Sequence, residues 1–150
     1  MSAKDIRVLG PLLGDIRHEP DARTKYGLLF EAIARQFTLL DVYDASLVGK
    51  DRLLNALLAF SPKKQMWREK FYKNNFAFKL RSQRFARRLR PLLGQVDVIF
   101  QVGVLFDANR ERLPIPVVAY TDFTARLSAE SPWTGRSPFT AGQLRQWLDQ

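Results

Sequence analysis

The chain has no cysteine and only one histidine, His18. Without cysteine it forms no disulfide and no thiolate metal site. One histidine leaves almost no material for a zinc centre or for a Ser-His-Asp arrangement. The composition therefore argues against a disulfide-stabilised scaffold, a zinc enzyme and a serine hydrolase.

Long apolar runs and the common nucleotide motifs are also missing. No run approaches the ~18 apolar residues that a membrane-spanning helix needs. The first five residues carry no apolar signal segment. Neither G-x-G-x-x-G nor G-x-x-x-x-G-K-[ST] occurs, and no D-x-D metal motif is present. We expect a cytoplasmic chain, soluble or attached to a membrane surface, with no metal.

The positive charge is concentrated in one stretch. The chain has 24 basic and 15 acidic residues, a net charge of +9. Residues 63–90 hold eleven of the basic residues and a single acidic one, Glu69. The remaining sequence is close to neutral, so this stretch needs an explanation of its own.

Two apolar runs, 96–100 and 115–120, predict the fold class. Near-continuous Val/Ile runs without polar alternation are typical of parallel strands covered on both faces. A strand at 5–9, a helix from Thr24 and a strand at 37–43 add a parallel crossover. We predict an α/β fold, a Rossmann-like doubly wound parallel sheet of about four to five strands. The 150 residues would form a single, truncated domain of this kind.

Polar and glycine residues follow the predicted strands. Ligands of open α/β sheets bind beyond the carboxyl ends of the strands, which makes these residues the site candidates. The candidates are Gln101, Gly103, Thr121 and Asp122 after the two apolar runs, and Gly10 and Gly14 after the first strand. Gly10 and Gly14 suit either a phosphate loop or simple turns. Asp122 suits either a capping role or a functional one.

The basic stretch predicts one helix from Pro62 to about Leu89. One side carries an apolar stripe for the core. The opposite side places Tyr72, Phe76 and Leu80 among Lys73, Lys79, Arg84 and Arg87. Three interpretations stay open: a solvated cationic face, a surface that docks on anionic lipid, or a nucleic-acid contact. The predicted membrane or anion contacts are Lys73, Phe76, Leu80, Arg84 and Arg87.

Several motifs resemble the N-terminal domain of retaining GT-B glycosyltransferases of the family 4 type. They are Arg7-Val8-Leu9-Gly10-Pro11-Leu12-Leu13-Gly14 at the start, Tyr26-Gly27-Leu28-Leu29, Val96-Asp97-Val98-Ile99-Phe100-Gln101, and Pro116-Val117-Val118-Ala119-Tyr120-Thr121-Asp122. Each motif is degenerate, and their order and spacing carry the resemblance over nearly the whole chain.

The resemblance implies the acceptor-binding half of an enzyme that moves a sugar from a nucleotide-sugar to an acceptor with retention. It implies that the nucleotide-sugar-binding domain is absent from these residues, that Gly10 and Gly14 approach the donor diphosphate, and that no metal is needed. It puts Gln101, Gly103 and Thr121 on the acceptor side. Asp122 falls at or next to the position of a histidine near the reacting sugar, a position implied to be catalytic.

The resemblance also implies peripheral attachment to the inner face of the cell membrane through residues 63–90. The alternative is a non-catalytic Rossmann-like module whose basic helix holds anionic lipid, an acidic partner or nucleic acid. Another nucleotide-using α/β enzyme is a third possibility, against which the missing fingerprints argue.

Overall fold

The computed structural model describes residues 5–121. Its strands are β1 (Arg7–Leu12), β2 (Thr38–Asp44), β3 (Val98–Val102) and β4 (Val117–Tyr120). Its α-helices are α1 (Pro20–Gln36), α2 (Gly49–Leu58), α3 (Lys64–Tyr72) and α4 (Asn75–Leu89), and a 3₁₀ turn follows at Arg90–Leu92. The described residues divide into a sheet unit, 5–46 with 81–120, and a helical unit, 47–80, to which Thr121 also belongs.

All four strands of the sheet unit are parallel, in the order β2-β1-β3-β4. Val8 pairs with Leu39 of β2 and with Val98 of β3. Phe100 pairs with Val118 of β4. The predicted α/β class is therefore confirmed, and the segments predicted to be parallel neighbours are parallel neighbours.

Helices cover both faces of this sheet. Phe30 and Ile33 of α1 pack with Val8, Leu12 and Val102 on one face. On the other face, Phe85 and Leu89 of α4 pack with Leu9 and Ile99, joined by Val96, Phe106 and Ile115. Successive strand residues point to opposite faces, so the continuous apolar runs supply both cores.

An ion pair fixes β1 to β3 at their amino-terminal ends. The Arg7 guanidinium donates from Nε and Nη2 to the two carboxylate oxygens of Asp97, each at 2.9 Å. The backbone N–H of Arg7 donates to the same carboxylate, and the N–H of Asp97 donates to the Arg7 carbonyl. The guanidinium holds the pKa of Asp97 at about 2. This two-pronged pair sets the register of the two central strands.

The first strand is longer than predicted. It continues through Gly10 and Pro11 to Leu12, whereas the sequence indicated a stop at Leu9. The pairing of β1 with β3 ends at Leu9. Arg7 hydrogen-bonds on the β3 side, and alternation directs Pro11 to that side, beyond the last pair. The missing N–H of Pro11 therefore breaks no ladder bond.

The predicted single helix over 62–89 is wrong, because α3 and α4 are separate. Lys73 leaves the helical conformation, with φ −110° and ψ 55°. The side-chain Oδ1 of Asn74 accepts the N–H of Ala77 at 2.8 Å, an N-cap contact that starts α4. The pair Asn74-Asn75 inside the basic stretch was the available sequence signal. The first helix also begins earlier than predicted, at Pro20, where proline suits the first turn.

Candidate functional site

The carboxyl-terminal edge of the sheet contains a topological switch point. From β1 the chain crosses to β2 on one side, and from β3 it crosses to β4 on the other. In doubly wound sheets, ligands bind in the crevice where two neighbouring strands lead away in opposite directions. The residues that follow β1 and β3 therefore define the candidate site.

Gln101 organises the turn that follows β3. Its Nε2 donates to the carbonyls of Gly103 at 2.8 Å and Phe106 at 2.9 Å. Its Oε1 accepts the N–H of Ala108 at 2.9 Å. Both amide hydrogens of this buried side chain are used inside the fold. Gln101 is thus a positioning residue that gives the loop 103–108 a defined shape.

Gly103 and the end of β4 lie together. The N–H of Gly103 donates to the Tyr120 carbonyl at 2.8 Å. Its φ of +84° favours glycine, and a Cβ added there would meet no atom within 4 Å. Open space therefore adjoins this turn, and Thr121 follows Tyr120 directly. The structure brings Gln101 and Gly103 together beside the end of β4.

The loop after β1 is closed by its own acidic side chains. The N–H of Gly14, at φ +108°, donates to the Asp44 carboxylate at 2.9 Å and to the Ser46 hydroxyl at 3.2 Å. Asp44 also accepts the N–H of Ser46. The amide that the resemblance assigns to a donor phosphate is thus already bound by a carboxylate, which would repel a phosphate at this point.

A second carboxylate binds the next amides of the same loop. Asp15 accepts the N–H of Arg17 at 2.8 Å and pairs with His18 Nδ1 at 2.7 Å. The His18 side chain, followed by the Arg17 amide, lowers the pKa of Asp15. The Arg17 guanidinium turns to Asp41 at 2.7 Å. The charges of this loop are therefore largely paired with one another.

Gly10 lies inside β1 and not in the loop. A Cβ at this position would overlap Phe30 of α1, with the ring Cδ1 and Cζ both at 3.1 Å. Phe30 is buried in the core on that face of the sheet. Glycine at position 10 therefore allows α1 to pack closely on the strand. The predicted loop position was wrong, because β1 continues through this residue.

The predicted lipid-contact residues have mixed environments. Phe76, Leu80 and Arg84 are half-buried, and only Arg87 is exposed. Lys73 pairs with Glu69 at 2.7 Å. The apolar members of this set are therefore not presented to solvent as the sequence suggested. Asp122, the predicted catalytic residue, lies outside the described residues.

Sequence reasoning missed Asp44 and Ser46 as residues of the candidate site. Both stand at the carboxyl end of β2, in Asp44-Ala45-Ser46, a segment with the composition of an Asx turn. That β2 adjoins β1 was predictable, but that this carboxylate reaches across to Gly14 was not, because the contact joins residues 30 positions apart.

Among residues 5–121, no three histidine, cysteine, aspartate or glutamate side chains are grouped to hold a metal ion. In the same range, no helix has the length and apolar content to cross a membrane. No protein-family model, curated protein or solved structure matches the chain.

Proposed function

We propose that the chain is the acceptor-binding half of a retaining glycosyltransferase that uses a nucleotide-sugar, working at the cytoplasmic face of a membrane. One observation carries the proposal: the connections that follow the two central strands lead to opposite sides of the sheet, and the turn at Gly103, beside the end of β4, borders open space. The order and spacing of the motifs that resemble family 4 enzymes support it.

The chemistry of transfer assigns distinct tasks to the two halves of such an enzyme. The nucleotide diphosphate leaves as positive charge develops on the sugar, so the donor half must stabilise phosphate charge. The acceptor half must hold a hydroxyl group in line with the reacting carbon. Thr121 and the adjacent Asp122 are suited to that task, because hydroxyl and carboxylate oxygens accept hydrogen bonds from sugar hydroxyls.

The occupied amide of Gly14 refines the proposal. Because Asp44 and Ser46 already bind it, we propose that this loop shapes the cleft and that contacts to the donor diphosphate come from a second domain. The same occupied amide also fits the alternative, a non-catalytic Rossmann-like module whose basic residues 63–90 hold anionic lipid, an acidic partner or nucleic acid, because that function needs no phosphate at Gly14.

Binding of sugars to the isotope-labelled chain tests the proposal. Methyl glucoside, methyl mannoside and methyl N-acetylglucosaminide are added in turn, and backbone amide resonances are followed by NMR. We expect at least one glycoside to shift the Gly103 and Thr121 resonances. UDP-glucose and GDP-mannose should shift Gly14 only weakly, because its amide is bound to Asp44. If none of the glycosides perturbs the carboxyl edge, the transferase proposal fails and the binding-module alternative stands.

Gly94 provides a matched control. It has the same φ as Gly103, +84°, also has open space at its Cβ position, and lies before β3 at the opposite edge of the sheet. Asn tolerates a left-handed backbone better than most residues. Gly103→Asn and Gly94→Asn should therefore lose similar stability, and only Gly103→Asn should weaken glycoside binding. Equal effects on binding would place the sugar elsewhere.

A further inference from the structure

Helix α2 of the helical unit exposes its apolar face and buries a polar side chain. Its buried residue is a polar one, Asn55, at 0% exposure. The leucine face, defined as Leu53, Leu54, Leu57 and Leu58, has exposed fractions of 64%, 47%, 66% and 64%. At 100° per residue these four side chains occupy an arc of about 140°. A contiguous apolar face of this kind marks an interaction surface.

Polar contacts within the helical unit hold α2 in this orientation. The Asn55 amide donates to the Phe71 carbonyl at 2.9 Å, and its oxygen accepts from Asn74 Nδ2 at 2.9 Å. The indole N–H of Trp67 donates to the Ala56 carbonyl, also at 2.9 Å. Rotating α2 about its axis would break all three of these hydrogen bonds. The leucine face therefore stays outward.

Aromatic and basic residues extend the leucine face. Phe60, 66% exposed, follows α2 and meets Trp67 with ring centroids 6.1 Å apart. Residues 47–80 contain eight basic residues and two acidic ones. Lys50 lies at the start of the leucine face, and Lys63 and Lys64 follow beyond its end, all three exposed. Exposed leucine and aromatic side chains flanked by lysines are the composition of helices that lie in a membrane interface.

We propose that the helical unit docks on an anionic membrane by inserting the leucine face and Phe60 into the headgroup region. Dimerisation through this surface is disfavoured, because the two helical units that would face each other both carry net positive charge. The phosphates of a nucleic acid would bind the lysines, but they would leave the four leucines exposed to solvent. The docking surface thus lies on α2 and not on the side of the basic stretch that the sequence suggested.

This inference gives the proposed transferase its membrane contact, but it is tested independently. Flotation of the 150-residue chain is measured with vesicles of phosphatidylcholine containing about a third phosphatidylglycerol. We expect Leu53→Ser/Leu57→Ser to lower the vesicle partition coefficient by about 100-fold. Lys63→Gln/Lys64→Gln should lower it by about 25-fold at low salt and have little effect at high salt.

Leu28→Ser is the matched control. Leu28, on α1 of the sheet unit, is 76% exposed, so the same substitution removes one leucine that is at least as exposed from another surface. It should leave flotation unchanged. The double-serine variant should stay folded and melt only slightly below the parent, because its leucines are mostly exposed and serine is a somewhat weaker helix former than leucine. The proposal is overturned if the parent chain does not float, if only salt and the lysines affect binding, or if the folded double-serine variant floats as well as the parent.

Discussion

Replacing Gly10 with alanine tests whether glycine is needed at this position for the packing of α1 on β1 or for binding a ligand. The added Cβ would overlap the Phe30 ring, which is buried in the core between α1 and the sheet. Overpacking of this kind costs about 1–3 kcal/mol. Alanine restricts the unfolded chain and returns about 0.5–1 kcal/mol of that. The net loss is about 1–2 kcal/mol, a fall of about 2–8 °C in the melting temperature for a chain of this size.

A double-mutant cycle with Phe30→Leu identifies the source of the loss. By itself Phe30→Leu should destabilise the protein, because it empties part of the core between α1 and the sheet. In the Gly10→Ala background the smaller side chain makes room for the new methyl group. We expect the two changes to be coupled by about 1 kcal/mol in the favourable direction, measured by urea unfolding.

Two results would refute this reasoning. The first is a Gly10→Ala variant with an unchanged melting temperature. The second is a Phe30→Leu change that costs the same in both backgrounds. Either would mean that close approach of α1 to β1 does not require glycine at position 10, and a ligand-binding role would then be the better explanation of this residue.

Two further predictions concern the loop after β3 and the pair between the central strands. Gln101→Ala leaves the Ala108 N–H and the Phe106 carbonyl without their partner and should cost about 3 kcal/mol in thermal unfolding, whereas the exposed Gln83→Ala should change stability by about 0.5 kcal/mol or less. The pKa of Asp97 is about 2 in the folded chain, below its ordinary 3.8, so its contribution to stability is complete above about pH 4 and is lost as the pH falls toward 2. Urea unfolding across that range should show a smaller pH dependence for Asp97→Asn than for the parent, and equal slopes would contradict the pairing with Arg7.

The strands and their parallel direction were largely predictable. The runs 96–100 and 115–120 are apolar at successive positions, and such runs fit strands covered on both faces. A strand, helix and strand in close succession imply a parallel crossover. The edge of the sheet that holds Gln101 and Gly103 follows from the same pattern, because parallel strands end at a common edge.

The boundaries of β1 and of the basic helices were not predictable in this way. Gly10 and Pro11 usually interrupt a strand, and here the strand tolerates them because pairing with β3 has already ended at Leu9. The single helix predicted over 62–89 includes Asn74, whereas this residue hydrogen-bonds to Asn55 and caps α4. Local propensity is a weak guide where a distant partner decides the outcome.

The amino-acid sequence by itself determined the fold class and the parallel strands, because the spacing of apolar residues along the chain decides which segments can be covered on both faces. Only the tertiary structure decided what each site residue does. It places the Asp44 carboxylate on the Gly14 amide, Phe30 against Gly10, and Asn55 beneath α2 with the leucines outward. Each of these outcomes depends on contacts between residues far apart in the chain, whose geometry no local pattern encodes.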